Sequence, residues 1–134
     1  MITSIGFDVA DINRFDNFVE KQKMPRLFSK NEFDYIAMKN NAPETIAGMF
    51  CAKEAFFKAL GTGITNIAEL AQVEIGHNKL GAPYYIFPPE LVKKYEIKNI
   101  NVLVSISHTK TVAAAVCVFD GSTIPLLISK NESP

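Results

Sequence analysis

Residues 44–63, ETIAGMFCAKEAFFKALGTG, decide the fold of this 134-residue chain. Apolar side chains occupy nearly every face of a helix from about Glu44 to Leu60, which is typical of a central, buried helix. Gly61 supplies the stop at its C-terminal end, and Gly63 keeps the following loop flexible. The stretch therefore predicts a long helix around which the other elements pack. Its apolar positions are Ile46, Met49, Phe50, Ala52, Phe56, Phe57, Ala59 and Leu60.

The residues at the start of the chain predict a strand followed by a helix. Residues 2–9, ITSIGFDV, form the strand, in which Gly6 indicates a bulge or a close approach of another backbone. The apolar stripe between Ile12 and Gln22 predicts the helix. Pro25 is expected to end it.

A second helix and a hairpin flank the central helix. Ser29 and Glu32 have the spacing of a capping box, which predicts a helix over residues 30–39. Residues 72–88 predict a hairpin, followed by a short helix over residues 88–95.

The last part of the chain predicts another antiparallel hairpin. Residues 101–107, NVLVSIS, pair with residues 112–119, VAAAVCVF, and residues 120–134 form an extension with a frayed tip. Helices early and hairpins late indicate an α+β fold. A chain of this length, without a linker, indicates one domain over residues 1–134.

Composition excludes several classes of protein. The 14 basic residues balance 14 acidic ones, and 48% of residues are hydrophobic, which argues against disorder and against a general nucleic-acid binder. No apolar run reaches about 18 residues, so no membrane span is expected. The N-terminal residues do not resemble a signal peptide. Cys51 and Cys117 are expected to be buried thiols, as in a cytoplasmic protein.

Two acidic residues stand in apolar surroundings. Asp8 could be a helix cap or turn residue, or a hard oxygen ligand for Mg²⁺. Glu54 lies four residues before Lys58, so the two could form a surface ion pair or contribute to a site with Asp8. Spacing alone leaves these alternatives open.

Two further features have both a structural and a functional interpretation. Ser107 and His108 end a strand, where a histidine is commonly a hydrogen-bonded turn residue. Arg14, Lys21 and Arg26 belong to a basic segment, which is either a solvated face or a docking surface for an acidic partner.

Three motifs together resemble the holo-acyl-carrier-protein synthase family, the small single-domain class of 4′-phosphopantetheinyl transferases. SIGFDVADINRF resembles the family's N-terminal Gly-x-Asp segment. FCAKEAFFKALGTGI resembles its Lys-Glu-Ala signature, and VSISHTKTVAAAVCV resembles its Ser-Ile-Ser/Thr-His signature. The middle motif is long and specific, whereas either of the others alone would be weak.

The resemblance implies a fold and a reaction. Small members have an antiparallel sheet packed against a long central helix and form homotrimers with active sites between subunits. They transfer the phosphopantetheine arm of coenzyme A to a serine of acyl carrier protein, release 3′,5′-ADP, require Mg²⁺ and serve fatty acid biosynthesis.

The resemblance also implies residue roles. Asp8 and Glu54 would hold Mg²⁺, and Lys58 would reach the same phosphates. Glu54 or a metal-bound water would take the serine proton, and this choice stays open. The acidic carrier protein would dock on Arg14, Lys21 and Arg26. Coenzyme A would contact Lys53, Lys58, Gly61, Thr62, Gly63, Ser107 and His108, the last two from a neighbouring subunit.

Two alternatives remain at this point. The first is a non-catalytic module of the same fold that binds a carrier protein, which has no need of Asp8, Glu54 and Lys58 together. The second is another Mg²⁺-dependent phosphoryl enzyme, such as a pyrophosphohydrolase, which usually shows carboxylates at helical spacing. The lysine at position 58 disfavours it.

Overall fold

The structure of the chain, a computed structural model, describes residues 1–122. Helices and antiparallel strands make up this range, which confirms the predicted α+β class. The extension predicted for residues 120–134 lies mostly outside it. The elements are β1 (Ile2–Asp11), α1 (Met24–Leu27), α2 (Lys30–Met38), α3 (Pro43–Ala59), β2 (Glu74–His77), β3 (Pro83–Ile86), α4 (Pro89–Lys94), β4 (Ile100–His108) and β5 (Val112–Gly121), with 3-10 turns at Ile12–Phe15 and Ile67–Glu69.

α3 is the 17-residue helix that the apolar stretch predicts, and its side chains are buried on almost every face. Pro43 lies in its first turn, where a backbone N–H would have no helical partner. Gly61 has a φ of 84°, and its N–H donates to the carbonyl of Lys58 at 3.0 Å. Glycine adopts this left-handed conformation without a steric cost, so the helix ends where the sequence indicates.

The strands form two antiparallel sheets. The larger has the order β1-β5-β4, and the smaller pairs β2 with β3. Asp8 lies opposite Ala115 in the larger sheet, and His108 lies opposite Ala113. Both predicted hairpins are confirmed, and the first strand pairs with the last described one.

α3 packs against one face of the larger sheet, and Gly6 permits the close approach. A Cβ at Gly6 would lie 1.9 Å from the carbonyl oxygen of Ala55 and 2.6 Å from the nitrogen of Ala59. Ser4 Oγ donates to the carbonyl of Ala59 at 2.6 Å. The glycine in the first strand therefore marks contact between the backbones of β1 and α3, and this contact brings Asp8 beside the helix.

The opposite face of the larger sheet is apolar and exposed in the single chain. Burial alternates along β5, where the buried residues face α3. On the open face Ile5, Phe7, Val9 and Leu103 are 65, 57, 56 and 53% exposed. Exposed apolar surface is thus present on the first strand as well as on a late one.

The helix predicted over Ile12–Gln22 is wrong beyond its first turn. The 3-10 turn ends at Phe15, and Asn17 has a φ of 54°, which interrupts a right-handed helix. The apolar periodicity reflects tertiary packing, since the Phe15 ring lies 5.3 Å from the Phe50 ring of α3. Pro25 does not end a helix; it lies in the first turn of α1.

Candidate active site

Three of the predicted site residues meet between β1 and α3. Asp8 is 5% exposed and faces the helix, where Lys58 Nζ lies 2.9 Å from its Oδ1. Asp8 Oδ2 is buried and has no hydrogen-bond partner in the described chain. Asp8 lies within a paired strand, so it is neither a helix cap nor a turn residue. The strand and the helix together build a cluster of Asp8, Glu54 and Lys58.

The carboxyl group of Glu54 has a pKa raised to about 7. Burial is the largest cause, followed by the close approach and negative charge of the Asp8 carboxylate. The positive charges of Lys58 and Arg14 act in the opposite direction. A cation bound beside Asp8 and Glu54 would reduce the repulsion between their carboxylates, so this pair favours cation binding.

The residues present fit Mg²⁺. The orphaned Oδ2 of Asp8 lacks a positive partner, and the neighbouring Glu54 supplies a second carboxylate. Within residues 1–122 no group of three or more histidine, cysteine or acidic side chains is placed to hold a metal. A pair of carboxylates suits Mg²⁺, which takes one or two protein carboxylates and completes its shell with water and phosphate oxygens.

Arg14 and Cys51 belong to the surroundings of this cluster. The guanidinium of Arg14 lies 5.5 Å from the ring centre of Phe15 and 5.4 Å from that of Phe50. The pKa of the Cys51 thiol is raised to about 12, mainly by burial and then by the charge of Asp8. Sequence reasoning placed Arg14 on a docking surface only, and it missed the proximity of the predicted buried thiol to the carboxylates.

Lys58 pairs with Asp8. The interpretation of Glu54 and Lys58 as an ion pair along the helix is therefore wrong, because the nearest carboxylate oxygen to the ammonium comes from β1. The i,i+4 spacing still has a role, since it places both side chains on the helix face that Asp8 approaches.

Lys53 is not available to coenzyme A, so its prediction as a binding residue is wrong. Its side chain is fully buried, and Nζ donates to Glu32 Oε1, Leu70 O and Val73 O, each at 2.7 Å. An ammonium group has three hydrogens, and all three are used. Lys53 therefore joins α2 to the segment before β2.

Glu32 is the buried partner of Lys53, although the sequence identified it only as a member of the capping box. The capping box with Ser29 is confirmed. The same carboxylate also accepts from Lys53 and from the Ile75 N–H at 3.0 Å. Burial raises the pKa of Glu32 and lowers that of Lys53, so each charge depends on the other. A lysine amid apolar helix residues was the only sequence signal for such a buried partner.

Ser107 and His108 do not join the carboxylate cluster within one chain. They end β4, which is separated from β1 by β5, or roughly 10 Å at ordinary strand spacing. His108 lines a cleft of about 400 Å³ on the other side of α3. The cleft is also lined by Tyr35, Lys39, Thr45, Met49 and His77.

The remaining predicted residues are accessible. Gly61 and Gly63 both have positive φ, and together with the exposed Thr62 they form the loop that follows Lys58. Lys21 and Arg26 are exposed on the segment that leads into and through α1. Among the described residues, no helix is both long and apolar enough to span a bilayer.

Comparison with known proteins identifies the family of this chain. A sequence model of the 4′-phosphopantetheinyl transferase superfamily matches residues 4–117. The holo-[acyl-carrier-protein] synthase of Treponema denticola is 36% identical over 124 residues, which cover 90% of this chain and all of the relative.

Solved structures show the same likeness. The holo-(acyl-carrier-protein) synthase of Bacillus anthracis, in complex with CoA (3′,5′-ADP), superposes with a TM-score of 0.73 at 32% identity, covering 91% of this chain and 99% of the other. The Helicobacter pylori protein, in complex with coenzyme A, gives 0.72 at 30% identity and coverages of 87% and 99%. The chain therefore belongs to the 4′-phosphopantetheinyl transferase superfamily, as a transferase of its holo-[acyl-carrier-protein] synthase family.

Proposed function

We propose that this protein transfers the 4′-phosphopantetheine arm of coenzyme A to a serine of apo acyl carrier protein, with release of 3′,5′-ADP. The observation that carries the proposal is the pair formed by Asp8 and Glu54 with Lys58 at its edge. Relatives named as holo-[acyl-carrier-protein] synthases support the acceptor, and the complexes of two relatives with coenzyme A support the donor.

Asp8 and Glu54 would hold Mg²⁺ against the pyrophosphate of coenzyme A. A bound Mg²⁺ would supply neutralisation of the charge on the phosphoryl and leaving-group oxygens. Asp8 reaches this position because Gly6 allows β1 to lie against α3, and its unpartnered Oδ2 is available to a ligand.

The protein side chains supply the proton transfers and contacts. Lys58 is half-exposed, so its ammonium group can turn to the phosphates and donate a proton to the leaving oxygen. We assign acceptance of the serine proton to Glu54, because its carboxylate lies in the same cluster as Asp8 and Lys58, beside the proposed metal position. The loop at residues 61–63 lets backbone lie close to the nucleotide.

The nucleotide end of coenzyme A would contact Ser107 and His108 of a neighbouring copy in a homotrimer. The separation of these residues from Asp8 within one chain supports a shared site. The open apolar face of the larger sheet supports assembly, because exposed apolar patches commonly mark interfaces. A trimer would cover this face and complete each site.

Acyl carrier protein would dock beside the carboxylate cluster. Arg14, Lys21 and Arg26 present positive charge to an acidic partner. An apolar groove of about 560 Å³ is lined partly by sequence neighbours of Lys21 and Arg26 and would accommodate apolar side chains of the acceptor. Its lining includes Val19, Met24, Pro25, Phe33 and Ala37.

We place the reaction in fatty acid biosynthesis in the cytoplasm, since acyl carrier proteins hold growing acyl chains on this arm. The direct test is intact-mass spectrometry of apo acyl carrier protein incubated with this protein, coenzyme A and Mg²⁺, beside a sample with EDTA. We expect a gain of one phosphopantetheine group that EDTA prevents. Binding of carrier protein without a mass gain would support the non-catalytic module instead. If the carrier protein neither binds nor gains mass, the acceptor is another molecule.

A further inference from the structure

Lys58 pairs with the carboxylate of Asp8, the same buried negative charge that the proposed metal ion would use. Its Nζ lies 2.9 Å from Oδ1, and the second oxygen of the same carboxylate has no partner. A metal ion and an ammonium group are attracted to the same buried negative charge, and the two cations repel each other. Lys58 therefore competes with a metal ion for the negative charge of Asp8.

The surroundings of Lys58 allow it to leave. Its side chain is 50% exposed, whereas that of Asp8 is 6% exposed, so the lysine is the movable member of the pair. Asp8 is its one hydrogen-bond partner in the described chain. Lys53, five residues earlier on the same helix, provides the contrast, since it is fully buried with three hydrogen bonds.

We propose that Lys58 is a displaceable counter-ion of Asp8, which neutralises the carboxylate before metal binds and is released toward the substrate phosphates when metal arrives. The inference rests on the proposed two-carboxylate site. It adds that the metal and the free ammonium group become available together, so that metal binding prepares the site for a pyrophosphate.

This arrangement has a definite energetic consequence. A metal ion on the free oxygen of Asp8 is repelled by the ammonium group on the other oxygen until Lys58 moves away, so the protein without coenzyme A binds metal more weakly than the same carboxylates would without Lys58. A phosphate-bearing substrate gives the released ammonium a new partner, so the metal and the substrate each strengthen binding of the other.

The test measures metal alone, without coenzyme A. Free Mn²⁺ is followed by electron paramagnetic resonance while it is titrated into the wild-type protein and into the K58Q, K58R and K98Q variants. We expect K58Q to bind Mn²⁺ tighter by on the order of three- to tenfold, as removal of a competing ion pair implies. K58R keeps the charge and should not gain affinity, and K98Q removes an exposed lysine elsewhere.

A second measurement reports the displacement itself. Reductive methylation followed by peptide mass spectrometry should label Lys58 faster when Mg²⁺ is present, while the labelling rate of Lys98 stays constant. Unchanged or weaker Mn²⁺ binding by K58Q, or a labelling rate of Lys58 that ignores Mg²⁺, would overturn the counter-ion role alone.

The D8N variant separates this failure from failure of the proposed function. If wild-type protein binds no Mn²⁺, or if D8N binds it equally well, the two-carboxylate metal site is wrong and the counter-ion role falls with it. Loss of Mn²⁺ binding in D8N, with the expected gain in K58Q, supports both.

Discussion

The carboxyl group of Glu54 is subject to opposing influences. Burial and the nearby Asp8 favour its protonated form, while Lys58 and Arg14 favour its charge. Its pKa of about 7 in the folded protein exceeds the ordinary value of 4.5. The folded state therefore holds this proton more tightly than the unfolded state between pH 4.5 and about 7, and stability without metal falls as pH rises through that window.

Substitution of Glu54 by glutamine should separate stability from activity. The amide has nearly the same shape but no charge, so Glu54→Gln should abolish Mg²⁺-dependent transfer. In EDTA at pH 8 it should be more stable than the wild type by about 1 kcal/mol, with a smaller difference at pH 5. Urea unfolding at both pH values and one protein concentration measures this. Lower stability at pH 8, or retained turnover, would contradict the assigned role.

Lys53 and Glu32 form a buried ion pair, so replacing only one of them should lower the stability of the protein. Lys53→Met leaves a buried carboxylate without its cation, and we expect a loss of about 3–5 kcal/mol in the free energy of unfolding. The double variant Glu32→Gln/Lys53→Met removes both charges and should recover a substantial part of that loss. Urea unfolding of both proteins checks this, and equal stability of the two variants would be evidence against the pair.

At the scale of elements, α3 separates a reactive side from a structural side. Glu54 and Lys58 face β1, while Lys53 faces α2 and the segment before β2. Consecutive residues on a helix point about 100° apart, so neighbours in one motif can serve different purposes. Similarity to the motif therefore did not separate the buried Lys53 from Glu54 and Lys58, which do reach the site.

The segment that leads into α1 offers a test of carrier docking. Lys21→Glu and Arg26→Glu should each raise the KM for carrier protein several-fold at low salt while kcat is unchanged, because they reverse charge away from the carboxylates. Arg14→Glu should also lower kcat, since Arg14 interacts electrostatically with Glu54. Steady-state kinetics decide this, with Lys98→Glu as the control. An unchanged KM for both variants would exclude this segment as the docking surface for carrier protein.

Local sequence patterns predicted the elements whose formation depends mainly on residues close to each other in the sequence. The apolar α3, the capping box of α2 and both hairpins follow from such patterns. The segment over residues 12–22 does not, because packing of Phe15 on Phe50 overrides a helical stripe. Asp8, Glu54 and Lys58 were identified by resemblance, but their contacts depend on how β1 crosses α3, which no local pattern specifies.

At the scale of the whole molecule, the open face of the larger sheet should determine assembly. Phe7→Asp and Leu103→Asp each place a charge on this exposed apolar face, and both should weaken the proposed trimer. Leu80→Asp is the matched control, since Leu80 is 96% exposed at the tip of the smaller hairpin. Sedimentation equilibrium measures the mass. A wild-type monomer, or a trimer indifferent to both substitutions, would refute this role.

β1 has its sheet partner at the far end of the described chain, and this affects how the protein is made. Ribosomes add about 5–20 residues per second, so the strand that carries Asp8 waits on the order of ten seconds for β5 to emerge. Throughout that time Ile5, Phe7 and Val9 have no sheet partner and are open to chaperones or to mispairing. A product of premature termination before β5 would carry Asp8, Glu54 and Lys58, yet the nascent polypeptide would lack the strand that aligns them.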